Sequence, residues 1–204
     1  QVYTASRNGR QYRVTERRYA VFPQTSGTLT IPAVVFAAQV VADNGLSNAG
    51  PDPFSRFFQQ STFKQVRLRS EPITVEIRPQ PDAAPSNWWL PAEAVTVTES
   101  WAPDPPVFRV GDSVTRTITV EARGVTGAQL PEIQRQNPAG MKAYPDQPVV
   151  ETRNNGSSLR GVRQEKLALV PTQPGDITLP EVRIQWWDTG ADKAREALLP
   201  ARTI

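Results

Sequence analysis

Apolar and polar residues alternate with a period of two along this chain, in stretches that are short and interrupted. Val34, Phe36, Ala38 and Val40 form one such set. Ile73, Val75 and Ile77 form another, with Thr74, Glu76 and Arg78 between and after them. Further along, Val95 and Val97 alternate with Thr96 and Thr98, and Val114, Ile118, Val120 and Ala122 alternate with Thr115, Thr117, Thr119 and Glu121. Val182, Ile184 and Trp186 share a third face. A period of two places successive side chains on opposite sides of an extended chain, so each stretch predicts a half-buried strand. No helical stripe runs beyond about three turns. Turn signals punctuate the strands: Asn8-Gly9 and Asn155-Gly156 predict hairpins that need positive φ, and Pro32 and Pro180 stop strands because proline has no N–H for a ladder. Short strands at intervals of about 8 to 12 residues predict an all-β sandwich.

The same pattern is written twice. Residues 23–36 read PQTSGTLTIPAVVF and residues 171–184 read PTQPGDITLPEVRI. Gly27 and Gly175, Thr30 and Thr178, Pro32 and Pro180, and Val34 and Val182 are each 148 residues apart, without a gap. Ala20 with Ala168 and Val14 with Val162 extend the frame backwards. Two copies of one domain are therefore expected, with Gly27 and Gly175 in equivalent turns. The second copy has about 55 residues of strand-like sequence ahead of the point that matches residue 1. The chain is accordingly expected to begin inside its first domain, leaving that domain with a face to be covered, and to stop short of the last strand of its second. The predicted organisation is a partial sandwich over residues 1–79 with an insertion at 43–64, a Pro/Ala-rich linker at 80–88, and a sandwich over 89–204.

Composition narrows the function. The chain of 204 residues has 20 prolines, 12 glycines, one methionine, no cysteine and no histidine. The missing histidine removes Ser-His-Asp catalysis and imidazole metal sites, and the missing cysteine removes disulfides and zinc thiolates. Phosphate-binding glycine loops, calcium-loop spacing and zincin motifs are absent too. Glu99, Asp112, Glu165 and Asp188 are read as solvated charges on or beside strands rather than as a glycosidase pair. A formal net charge of +3 with interspersed signs gives no case for nucleic acid. No catalytic residue, metal or cofactor is expected.

Aromatic and basic residues are the remaining candidates. Trp88-Trp89 and Trp186-Trp187 are adjacent pairs, in which one indole is expected to point inward and the other outward; Trp88 and Trp187 are the candidate outward members. Arg7, Arg10, Arg13, Arg17 and Arg18 form a basic cluster on the first hairpin, of which Arg13 and Arg17 are the candidate contacts. Phe54, Phe57 and Phe58 lie in the insertion, where an exposed aromatic hook is expected to serve association more than folding.

Several strings together resemble the BatD family of bacterial oxygen-tolerance proteins. They are residues 17–23 (RRYAVFP), 26–32 (SGTLTIP), Asp52-Pro53-Phe54, Trp89-Leu90-Pro91-Ala92, Glu99-Ser100-Trp101 and Trp186-Trp187-Asp188. The resemblance implies tandem immunoglobulin-like β-sandwiches in a parent protein with a signal peptide and a C-terminal membrane anchor, outside the cytoplasmic membrane. It further implies partner proteins with von Willebrand A domains and a functional link to a MoxR-type AAA ATPase. It supplies no biochemical activity. The expected role is a non-enzymatic interaction or scaffold module of an aerotolerance or envelope-stress protein; the alternative is a carbohydrate-binding module that recognises envelope glycans through exposed tryptophan. Self-association of the chain is a further expectation, from the uncovered face of its first domain.

Overall fold

The computed structural model describes residues 1–41, 63–85, 88–134 and 138–204. The chain divides into two units, Gln1–Gln80 and Pro81–Ile204. Both are all-β among the described residues, apart from a single 3-10 turn at Gly127–Gln129.

Among the described residues the first unit is three antiparallel pairs. β1 (Val2–Arg7) pairs β2 (Arg10–Thr15) around Asn8 and Gly9, whose φ values of 52° and 75° meet the turn's demand for left-handed backbone. β3 (Gly27–Ile31) pairs β6 (Ile73–Ile77), and β4 (Val35–Val41) pairs β5 (Phe63–Arg69). β3 stops where Pro32 begins, as expected.

The second unit is a sandwich of two main sheets. β7 (Pro91–Ala92) opens it, followed by β8 (Ala94–Ala102) and β9 (Val114–Arg123). Next come β10 (Met141–Pro145), β11 (Val149–Asn154) and β12 (Leu159–Pro171). β13 (Thr178–Leu179), β14 (Val182–Asp188), β15 (Lys193–Leu199) and β16 (Arg202–Thr203) complete it. One sheet runs β8-β9-β12, with β10 and β11 sharing the far edge of β12 in succession. The other runs β15-β14-β7, where β7 is parallel to β14, and β13 pairs β16 beside it.

The alternation in β9 turns Val114, Ile118, Val120 and Ala122 inward, as the pattern predicts. Ile118, Val120 and Ala122 meet Leu90, Val95, Val182, Ile184 and Trp186 in the main core, while Met141, Leu169, Ile177 and Leu179 form a second cluster. Burial of this apolar surface is the main source of the unit's stability. Where the 3-10 turn crosses β12 the backbones come close. A Cβ at Gly161 would lie 2.6 Å from the Thr126 carbonyl oxygen, so only glycine fits there.

The repeat extends to the hydrogen-bond register. Val2↔Thr15 in the first unit becomes Val150↔Arg163 in the second, both members shifted by 148. Ile31↔Ile73 becomes Leu179↔Arg202, and Val35↔Arg69 becomes Arg183↔Leu198, with shifts of 148 and 129. The difference of 19 falls at the turn between β4 and β5. Gly27 and Gly175 adopt φ of 107° and 121°, so the predicted equivalence of these turns holds.

Burial separates the two units. Outside residues 41–63, none of the residues of the first unit is buried. Val34, Phe36 and Val21 are 69%, 57% and 54% exposed; their counterparts Val182, Ile184 and Leu169 are 8%, 4% and 3% exposed. The inward face expected for Val34, Phe36 and Val40 is thus uncovered among the described residues. In the second unit those positions are covered by β7, β8 and β9, for which the first unit has no counterpart among the described residues.

Candidate functional site

Two charged clusters sit on the inner face of the second unit. Arg116 occupies an inward position of β9 between Val114 and Ile118 and is only 5% exposed. Its Nε donates to Glu99 Oε2 at 2.8 Å. The guanidinium carbons of Arg116 and Arg202 each lie 5.5 Å from the Trp101 ring centroid, within cation–π range, and Phe108 meets the same ring edge-on at 5.7 Å. Arg202 Nη1 also reaches Glu99 Oε1 at 3.4 Å. Nη2 of Arg116 and Nε1 of Trp101 have no hydrogen-bond partner among the described residues. On β12, the buried Glu165 accepts from Arg163 Nε at 2.8 Å and from the Ile133 N–H at 3.2 Å through one oxygen.

These clusters correct the reading of Glu99, Glu165 and Asp188 as solvated. All three are shielded from water and held by arginine or backbone donors. Asp188 ends β14, where its Oδ1 accepts from the N–H groups of Gly190 and Ala191, both at 2.9 Å, and its Oδ2 pairs with Arg195 Nε at 2.7 Å. The Ala191 N–H, then that of Gly190 and the Arg195 charge, hold this carboxyl below its ordinary range. Its role in this geometry is to close the β14–β15 hairpin. Sequence reasoning missed Arg116, although its place among the inward positions of β9 was the available signal.

The tryptophans divide differently from the expectation of one in and one out. Trp186 and Trp187 are both buried, at 6% and 7%. Trp187 packs against Trp89 with ring centroids 6.2 Å apart and donates from Nε1 to Asp192, so it presents no free indole face on the surface. The correction has a local cause: Trp89, just ahead of β7, covers the outward indole. Trp88 remains half exposed, pinned by its Nε1 to the Gln129 carbonyl at 2.9 Å. With Pro131, Glu132, Gln134, Arg183 and Gln185 it lines an open cleft of about 230 Å³. On this side no strand pairs β14 before Trp187 among the described residues.

On the first unit, Arg13 and Arg17 are exposed, Arg13 on β2 and Arg17 two residues past its end. Arg18 pairs with Glu16 at 2.8 Å. Phe54, Phe57 and Phe58 lie outside the described residues. Among the described residues no group of three or more acidic, histidine or cysteine side chains could hold a metal ion, and no helix is long and apolar enough to cross a membrane.

Residues 101–196, which span β9 to β14 and most of β15, match a family described as the BatD DUF11 like domain. No curated protein and no solved structure matches the chain.

Proposed function

We propose, from the match of residues 101–196 to the BatD DUF11 like domain, that the chain is a non-enzymatic protein-interaction module that works by surface complementarity outside the cytoplasmic membrane. The observation that carries this reading is the apolar surface of the first unit that is uncovered among the described residues. Val34, Phe36, Ile73 and Leu68 are each more than half exposed, and such apolar area on a folded protein is normally a docking surface. In the aerotolerance or envelope-stress role that goes with the family, the parent is anchored in the inner membrane and its partners carry von Willebrand A domains, with a MoxR-type ATPase acting in the same system. Self-association of the chain through the same face is the competing use of that surface. The test is a pull-down from detergent-solubilised membranes with the wild-type chain and with Val34→Asp/Phe36→Asp. Equal capture of membrane proteins by both would overturn the reading.

The Trp88 cleft favours a second reading, glycan binding. A half-exposed indole beside Gln134, Gln185 and Arg183 offers a stacking face and polar donors. Titration with peptidoglycan fragments should then quench fluorescence in the wild type and not in Trp88→Ala. Unchanged fluorescence in the wild type would dismiss it.

A further inference from the structure

We infer that the second unit holds a small monovalent anion, of about three heavy atoms at most, against Arg116 inside the sandwich. The site is separate from the surfaces on which the interaction reading rests, and stands or falls without it.

Residues of both main sheets line a cavity of about 40 Å³ in the second unit. β9 contributes Arg116 and Ile118 to its wall, β12 Leu167 and Leu169, β13 Leu179 and β14 Val182. A single water needs about 10–15 Å³ of such space, which limits the guest to about three heavy atoms. Chloride and formate meet that limit; phosphate, sulfate and sugars exceed it.

The donor set selects the charge of the guest. Two charged residues line the cavity. Glu181 is tied to Arg183 at 2.7 Å, where both side chains are about half exposed. Arg116 is only 5% exposed; its Nε is committed to Glu99, and its Nη2 has no partner. A buried guanidinium donor left unpaired is destabilising, and an anion is its strongest partner through a charge-assisted hydrogen bond. The surrounding charges agree with this. Arg116 at 2.8 Å and Arg202 at 3.4 Å both reach Glu99, so two positive charges share one carboxylate. One monovalent anion makes that group neutral, as buried charges require. Water fits less well, because it needs two to four polar partners. Apart from Nη2 the wall is mostly aliphatic, with Gln134 exposed to solvent.

The experiment is urea unfolding at constant ionic strength in sodium chloride, sodium formate and sodium gluconate, whose anion is too large for the cavity. Tryptophan fluorescence reports on the second unit alone, since all five tryptophans lie there. At about ten times its Kd, a ligand bound only by the folded state lowers the unfolding constant about tenfold. The wild-type midpoint should therefore rise saturably as chloride or formate replaces gluconate, and the lower half-saturation identifies the better guest. Glu99→Leu/Arg116→Met, which removes the guanidinium, should be indifferent to the exchange. Ala143→Leu, which keeps Arg116 and fills the cavity from β10, should be indifferent too. An equal wild-type midpoint in all three salts would overturn the inference and leave water as the guest. So would a rise without saturation, or one that either variant retains, since each marks a general salt effect.

Discussion

Glu99 and Arg116 make the sharpest test of how the second unit is held together. Their side chains are 16% and 6% exposed, so each charge is largely out of water and depends on the other. Arg116→Ala leaves the Glu99 carboxylate without its main partner and strips one guanidinium from the Trp101 ring. Breaking a buried pair this way typically costs about 3–5 kcal/mol. Arg202, exposed and 3.4 Å from Glu99, offsets part of that, so a loss of about 3 kcal/mol is expected. Replacing both partners with apolar residues, Glu99→Leu/Arg116→Met, removes the desolvated charges together. It also removes Nη2 of Arg116, a buried donor without a partner whose desolvation costs about 1–3 kcal/mol. The double variant should therefore lie within about 1 kcal/mol of the wild type. Urea unfolding followed by tryptophan fluorescence measures this cleanly, because all five tryptophans lie in the second unit and the first is silent. A double variant as unstable as Arg116→Ala would refute the reasoning, since it would make the polar cluster a net source of stability.

Three other outcomes are expected. Gly161→Ala forces a Cβ against the Thr126 backbone, and overpacking of that kind should lower stability by about 1–3 kcal/mol in the same urea assay. Asp188→Asn should keep the hairpin, since Oδ1 still accepts from Gly190 and Ala191. The carboxyl is depressed when folded, so its contribution is complete above about pH 4 and is lost as pH falls through the folded value. The variant should thus show a flatter acid limb in unfolding midpoints taken from pH 6 to pH 2. Trp186→Ala should cost about 3–5 kcal/mol as a core truncation, while Trp88→Ala, at a half-exposed site, should shift the midpoint little.

The strands, the repeat and the paired glycine turns were legible because each rests on local chemistry. Alternation, proline and positive φ act over a few residues, and Gly27 and Gly175 announce their conformation wherever they stand. The buried polar groups were not legible, since carboxylates on strands such as Glu99 and Glu165 are ordinarily solvated, and only the arrival of Arg116 and Arg163 on the same inner face changes that. The fate of Trp187 was hidden for a related reason. Its outward direction follows from the strand, but its burial depends on Trp89, nearly 100 residues earlier in the chain. Exposure of the Val34 and Phe36 face could not be read from alternation either, because the pattern marks a face fit for burial without saying what lies against it.

The shift from 148 to 129 between the paired strands says where this architecture tolerates growth. Four residues separate Asp188 from Lys193 and 23 separate the matching pair Val40 and Lys64, of which Val41 and Phe63 still extend the ladder, yet every pair on either side keeps its register. Loop closure over the longer span costs only about 1.5 kcal/mol more in chain entropy. The hairpin tip is therefore a graft site: a foreign epitope or sensor peptide of about 20 residues placed between Thr189 and Asp192 should be displayed at the end of the sandwich at a comparable entropic cost.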